Sequence, residues 1–183
     1  MTRVVAMQAS QAELMMGPGT TRGRPSGEVR EVALPPEALA LATLARVDYT
    51  DSFRLELPRA RELTGEEWAR AILEDAPPAT RTMLRRGWFA LGVRLGSPED
   101  ERLVLGWPVR RRTSEFALLA TSSRLGMEAE VLLKRGRDAL LVATLMQLKN
   151  PIARAVWTRF SPQHRRVVRH LLREAGRRAC NEP

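Results

Sequence analysis

Three kinds of hydrophobic pattern run along this chain, and each predicts a different element. From Asp48 to Leu57, Phe53, Leu55 and Leu57 alternate with Ser52, Arg54 and Glu56, the period-two signature of a half-buried strand, which Pro58 ends. Helical spacing follows. Thr64-Gly65-Glu66-Glu67 is a capping box: the Thr64 hydroxyl accepts from the backbone N–H of Glu67, and the Glu67 carboxylate reaches back to Thr64. The helix it opens carries Trp68 and Ile72 on one side and stops at Pro77-Pro78. A second helix, near Ala79 to Leu91, spaces Met83, Leu84, Trp88 and Leu91 by helical turns, with Gly92 and Gly96 beyond it.

Alternation resumes after residue 102. Leu103, Leu105 and Trp107 share one face of a predicted strand that Pro108 bends or terminates. Phe116, Leu118 and Ala120 share a face of the next, with Leu119 and Thr121 on the other. Met127, Ala129, Val131 and Leu133 oppose Glu128, Glu130 and Lys134. Lys134-Arg135-Gly136-Arg137-Asp138 is a polar hairpin turn. Ala139 to Leu148 is apolar on both faces, as a central strand requires. Such short connections demand antiparallel pairing.

Asn150-Pro151 then places an N-cap before a proline at the first helical position. Ala153, Trp157, Phe160, His164, Val168, Leu171 and Ala175 recur at spacings of three and four, one apolar stripe, while Arg159, Arg166, Arg169, Arg173 and Arg177 fall largely off it. Ser161-Pro162 repeats the cap-and-proline pair inside this region and predicts a kink or a restart. The expected fold is α+β: a curved antiparallel sheet of about five strands, two helices after the first strand, and a kinked C-terminal helix across the concave face. Residues 1–32, rich in Gly and Pro breakers, read as a flexible leader. Residues 33–183 read as one domain. Pro35-Pro36 opens a short apolar segment, Ala38 to Leu44, of one or two helical turns.

Composition narrows the function classes. At 183 residues and 44% apolar content the chain can build a full core. Its net charge of +9 is concentrated after residue 150, where eight arginines stand against Glu174 and Glu182. A basic surface permits anionic partners, but no nucleic-acid motif accompanies the charge, which leaves nucleic acid the weaker partner. Cys180 is the single cysteine, so no intrachain disulfide forms, in keeping with a reducing compartment. With no secretory signal and no run of 18 apolar residues, the expected location is the cytoplasm, without a membrane span.

Candidate chemistry is sparse. No Cys/His cluster has metal-ligand spacing, no glycine-rich phosphate loop precedes a helix, and no nucleophile elbow is present, so neither a cofactor nor a catalytic set is expected. His164 is the one titratable residue on the inner stripe of the last helix. It is either a polar group aimed into a cavity, able to orient a ligand or act as acid or base, or a first-turn histidine satisfied by its neighbours. Trp68, Trp88, Trp107 and Trp157 each fall on the apolar face of an element. Core filling is the plainer account; lining a pocket is the alternative. Trp88, Trp107, Trp157 and His164 are the candidate ligand-binding residues. Arg110-Arg111-Arg112 is either an anion site or a solvated strand edge.

The segments Asp48-Tyr49-Thr50-Asp51-Ser52-Phe53, Glu67-Trp68-Ala69-Arg70, Gly106-Trp107, Trp157 and Pro162-Gln163-His164-Arg165, in that order, resemble a bacterial family catalogued as a domain of unknown function. That family is similar to START-like, helix-grip proteins of the polyketide cyclase and lipid-transport superfamily. The likeness spans roughly residues 47–178. It implies an antiparallel sheet gripping the C-terminal helix with room for a hydrophobic ligand, and it fixes no reaction. The leading expectation is binding of a small hydrophobic molecule between sheet and helix. The alternatives are a cyclase- or hydrolase-like enzyme using His164 as acid/base, and an interaction protein that sets its basic helix against an acidic partner.

Overall fold

The computed structural model describes residues 27–57, 63–97 and 100–181. Seven strands form one curved antiparallel sheet: β1 (Val29–Glu31), β2 (Tyr49–Glu56), β3 (Leu103–Val104), β4 (Trp107–Arg112), β5 (Phe116–Ser122), β6 (Met127–Arg135) and β7 (Ala139–Leu148). Their order is β1-β2-β7-β6-β5-β4-β3, so β3 to β7 are a meander and β2 closes back on β7. Among the described residues four helices accompany the sheet: α1 (Pro36–Leu39), α2 (Gly65–Leu73), α3 (Pro78–Ala90) and α4 (Pro151–Asn181).

The strand count exceeds the five expected, for two local reasons. Leu105 and Gly106 both adopt positive φ (49° and 90°), a two-residue turn that pairs Val104 with Trp107. Leu105 therefore lies in a hairpin turn, and what reads as one strand is two. The second addition is β1, which lies within the stretch read as leader and pairs Val29 with Leu55 and Glu31 with Phe53. Residues 1–26 of that stretch lie outside the described residues.

The concave face carries the main core. Phe53 and Leu55 from β2, Leu133 from β6 and Leu140 from β7 are buried there with Trp68, Trp157, Leu171 and Leu172. α2 approaches β5 closely because Gly65 has no side chain. A Cβ built on it would collide with the Ala117 backbone nitrogen. Both reciprocal bonds of the expected capping box are present, Glu67 N–H to Thr64 Oγ1 (3.2 Å) and Thr64 N–H to Glu67 Oε2 (2.7 Å). Arg70 then ties the helix to the carbonyls of Glu101 and Leu103.

The convex face is covered by the segment around α1. Ala38 packs on Phe116, Leu118, Leu132, Ala143 and Leu145. Glu130, fully buried beneath this strap, accepts from the Thr43 backbone N–H (2.9 Å) and the Thr43 hydroxyl. A register shift between Val109 and Arg111 lets two successive arginines serve the strap: Arg110 donates to Thr43 Oγ1 and Arg111 to the Leu41 carbonyl. Arg112 bonds Glu66 (2.6 Å). The arginine triplet is thus engaged within the fold.

Asn150 caps α4 as its sequence predicts, accepting from Ala153 N–H at 2.8 Å. α4 then runs unbroken past Pro162, so the expected restart at Ser161-Pro162 does not occur. Proline leaves the Thr158 carbonyl without its usual donor, and Ser161 Oγ approaches that carbonyl at 3.5 Å, the outer edge of hydrogen-bond geometry. Continuity is enforced by packing: Ala153 and Trp157 before the proline, and Leu171, Leu172 and Ala175 after it, are all buried in the same core.

Candidate functional site

Between the sheet, α3 and α4 lies a cavity of about 130 Å³. Its wall is overwhelmingly apolar. Trp88, Trp107, Trp157 and His164, the four residues singled out from sequence, all line it. Trp68 does not; it is 1% exposed and belongs to the solid core. Trp88 and Trp107 meet edge to face at a 5.5 Å centroid separation. Trp157 meets Tyr49 at 5.2 Å and the His164 ring at 5.1 Å. The rings therefore form a pair at the α3–β4 side and a group of three under α4, and Val131, Val142 and Met146 of the sheet also line the cavity.

The polar end of this cavity is built by β2, β7 and α4. Strand alternation that sends Phe53 and Leu55 inward also sends Tyr49 and Asp51 inward. Asp51 pairs across the ladder with Thr144. Thr144 Oγ1 lies 3.0 Å from His164 Nε2, and Asp51 Oδ2 lies 3.4 Å from the same nitrogen. Tyr49 Oη donates to Asp51 Oδ2 at 2.7 Å. Thr144 and His164 reach the cavity wall, and Asp51 stands behind them with its side chain only 2% exposed.

The electrostatics follow from this arrangement. Burial alone would raise the Asp51 carboxyl, but bonding to His164, the imidazolium charge and the Tyr49 hydroxyl outweigh it and hold Asp51 below the ordinary carboxylate range. Burial, then the bond to Asp51 and its negative charge, push the Tyr49 phenol well above its ordinary value. Near neutrality Tyr49 is thus a donor and Asp51 an acceptor. The Asp51 carboxylate and the Thr144 hydroxyl on one ring nitrogen fix the orientation of the imidazole. The other nitrogen, Nδ1, makes no hydrogen bond among the described residues.

The buried indole Nε1 atoms of Trp107 and Trp157 lack partners, as do that of Trp68 in the core and Asp51 Oδ1. Buried indole N–H groups normally find an acceptor, so two of the cavity's aromatic walls carry open donors.

Sequence reading missed Tyr49, Asp51 and Thr144. The signal for Asp51 was present: it stands two residues before Phe53 and so shares the inward face. Among the described residues no group of three or more His, Cys, Asp or Glu could hold a metal ion, and no helix is long and apolar enough to cross a membrane. Compared with known proteins, the chain matches no family model, no curated protein and no solved structure.

Proposed function

We propose that this protein binds a small, largely apolar molecule of single-ring size in the cavity between the sheet and α4, with a hydrogen-bond acceptor on the ligand taken by the open indole donors. The observation that carries this reading is the cavity itself. At about 130 Å³ it approaches the roughly 150 Å³ apolar void that accommodates benzene, and it is smaller than the ~300–1,000 Å³ of drug-sized sites. Size therefore selects against a lipid with full acyl chains. The order of elements, with two helices between β2 and β3 and a long helix across the concave face, supports a START-like, helix-grip fold as the frame for such a site.

The test is native mass spectrometry of the purified chain before and after organic denaturation. Excess mass that disappears on denaturation and corresponds to a molecule of one or two rings is the expected result. Failure of any ring-sized molecule to bind, added or carried, would remove the reading.

A second reading is favoured by one observation, the Asp51–His164 contact. A buried carboxylate behind a cavity-facing imidazole is the arrangement of a general acid/base, so His164 could move a proton on a bound carbonyl compound. It predicts that His164→Ala abolishes turnover while leaving ligand affinity largely intact. The reading of α4 as a basic docking helix has less support. Arg165 and Arg169 are engaged by Glu31, Arg177 by Glu174, and Arg178 by the Ala71 carbonyl.

A further inference from the structure

α3 is attached to the fold by one face only. Of its 13 residues, Leu84 alone is buried. Leu84 and Trp88, with Leu91 just beyond the helix, roof the cavity. The opposite face carries Arg85, Arg86 and Phe89, and Phe89 is 80% exposed, the most exposed large apolar side chain among the described residues. Met83, elsewhere on the helix, is 46% exposed. Arg85, Arg86 and Phe89 line a surface groove of about 680 Å³ together with Arg94 and Arg124 from the loops that follow α3 and β5.

Arginines on this protein are commonly paired, as Arg70, Arg112 and Arg165 are. Arg85, Arg86, Arg94 and Arg124 make no side-chain ion pair or hydrogen bond among the described residues. Glu74, Asp100 and Glu101 border the neighbouring groove, which Arg81 and Arg85 share, so acidic charge lies on that side. The unopposed charge is therefore that of Arg86, Arg94 and Arg124, set around an exposed phenylalanine.

We propose that this face of α3 is a docking surface for an anionic lipid membrane. Clustered arginines gather at a negative headgroup layer, and an aromatic ring between them inserts into the boundary below it. Nucleic acid would use the same charge, but single-strand binding relies on several stacking rings in series, and this groove offers one. The chain around α3 also fits a helix that shifts on contact. It has Pro77-Pro78 at its start, Gly87 within it, and Gly92 at positive φ after its end. Docking would act on the roof of the cavity, though the surface stands whether or not the cavity is filled.

Flotation of the full chain with vesicles tests it, using phosphatidylcholine alone and the same lipid with about a third phosphatidylglycerol. The chain should float only with the anionic vesicles and be released as salt rises. R86E/R94E/R124E should weaken binding by roughly a hundredfold, about one kcal/mol or fivefold per arginine before its replacement charge is counted. F89S should lower the binding that survives at raised salt. The melting temperatures of both variants should stay near that of the parent, because these side chains support nothing. R159E/R166E/R173E, on the exposed side of α4, should float as the parent does. The proposal is overturned if anionic vesicles are not bound, if the α3-face variants float unchanged, if the α4 variant loses binding equally, or if single-stranded DNA displaces the vesicles and binds more tightly.

Discussion

Asp51 sits directly across the β2–β7 ladder from Thr144, and the two side chains converge on one atom, Nε2 of His164. A strand pair thereby presents a carboxylate and a hydroxyl to a helix, and the helix presents the result to a cavity.

Acid stability should report this contact. Asp51 titrates below its unfolded value near 3.8. A carboxyl lowered in the folded state contributes stability that is complete above the unfolded pKa and is lost as pH falls through the folded one. Melts of the parent should therefore lose stability below about pH 4. Asp51→Asn should be less stable near neutrality by about 1–3 kcal/mol, and the gap should close as pH drops below that value. A constant gap across the acid range would show that Asp51 is not held by its neighbours as described.

Filling the cavity should separate binding from folding. Ala129 lines it from β6. Ala129→Leu places three more carbons in the void, so stability should fall by no more than the roughly 1–3 kcal/mol of overpacking a filled core. Binding of ring-sized molecules should be lost, as calorimetry would show. A variant that binds as well as the parent places the ligand elsewhere.

Gly65→Ala should be costly although alanine is ordinarily the better residue within a helix, here at its first position. Its Cβ meets backbone atoms of Phe116 and Ala117, which cannot rotate away. Urea denaturation should show a loss of about 1–3 kcal/mol, from forcing α2 off β5. A neutral or stabilising result would mean that the helix sits farther from the strand.

Much of this was legible in the sequence, and the reason is local. The capping box of α2, the Asn150 cap, the hairpin at residues 134–138 and the alternation in β2, β5 and β6 are each specified by residues within a few positions of one another. What escaped depends on distant partners. β1 is three residues long and is held by Leu55, Arg54 and Phe53 across the sheet, with Arg165 and Arg169 clasping Glu31. Continuity of α4 through Pro162 is a tertiary outcome, since the core grips the helix on both sides of the proline. The four candidate site residues were legible because aromatic rings and a histidine on apolar faces stand out. Alternation places Tyr49 and Asp51 on the inward face of β2, but their grouping with Thr144 and His164 is set by the strand and helix opposite, which local pattern does not reveal.

Tryptophan NMR tests the central claim most directly. Three tryptophans line the cavity, and Trp68 lies in the solid core as a built-in reference. Titrating assigned, nitrogen-15-labelled protein with phenol or indole should move the indole signals of Trp107 and Trp157 most, Trp88 as well, and leave Trp68 in place. Saturable shifts confined to those rings are the predicted result. No saturable shift at any of the three, or equal movement of Trp68, would contradict a ligand site between the sheet and α4.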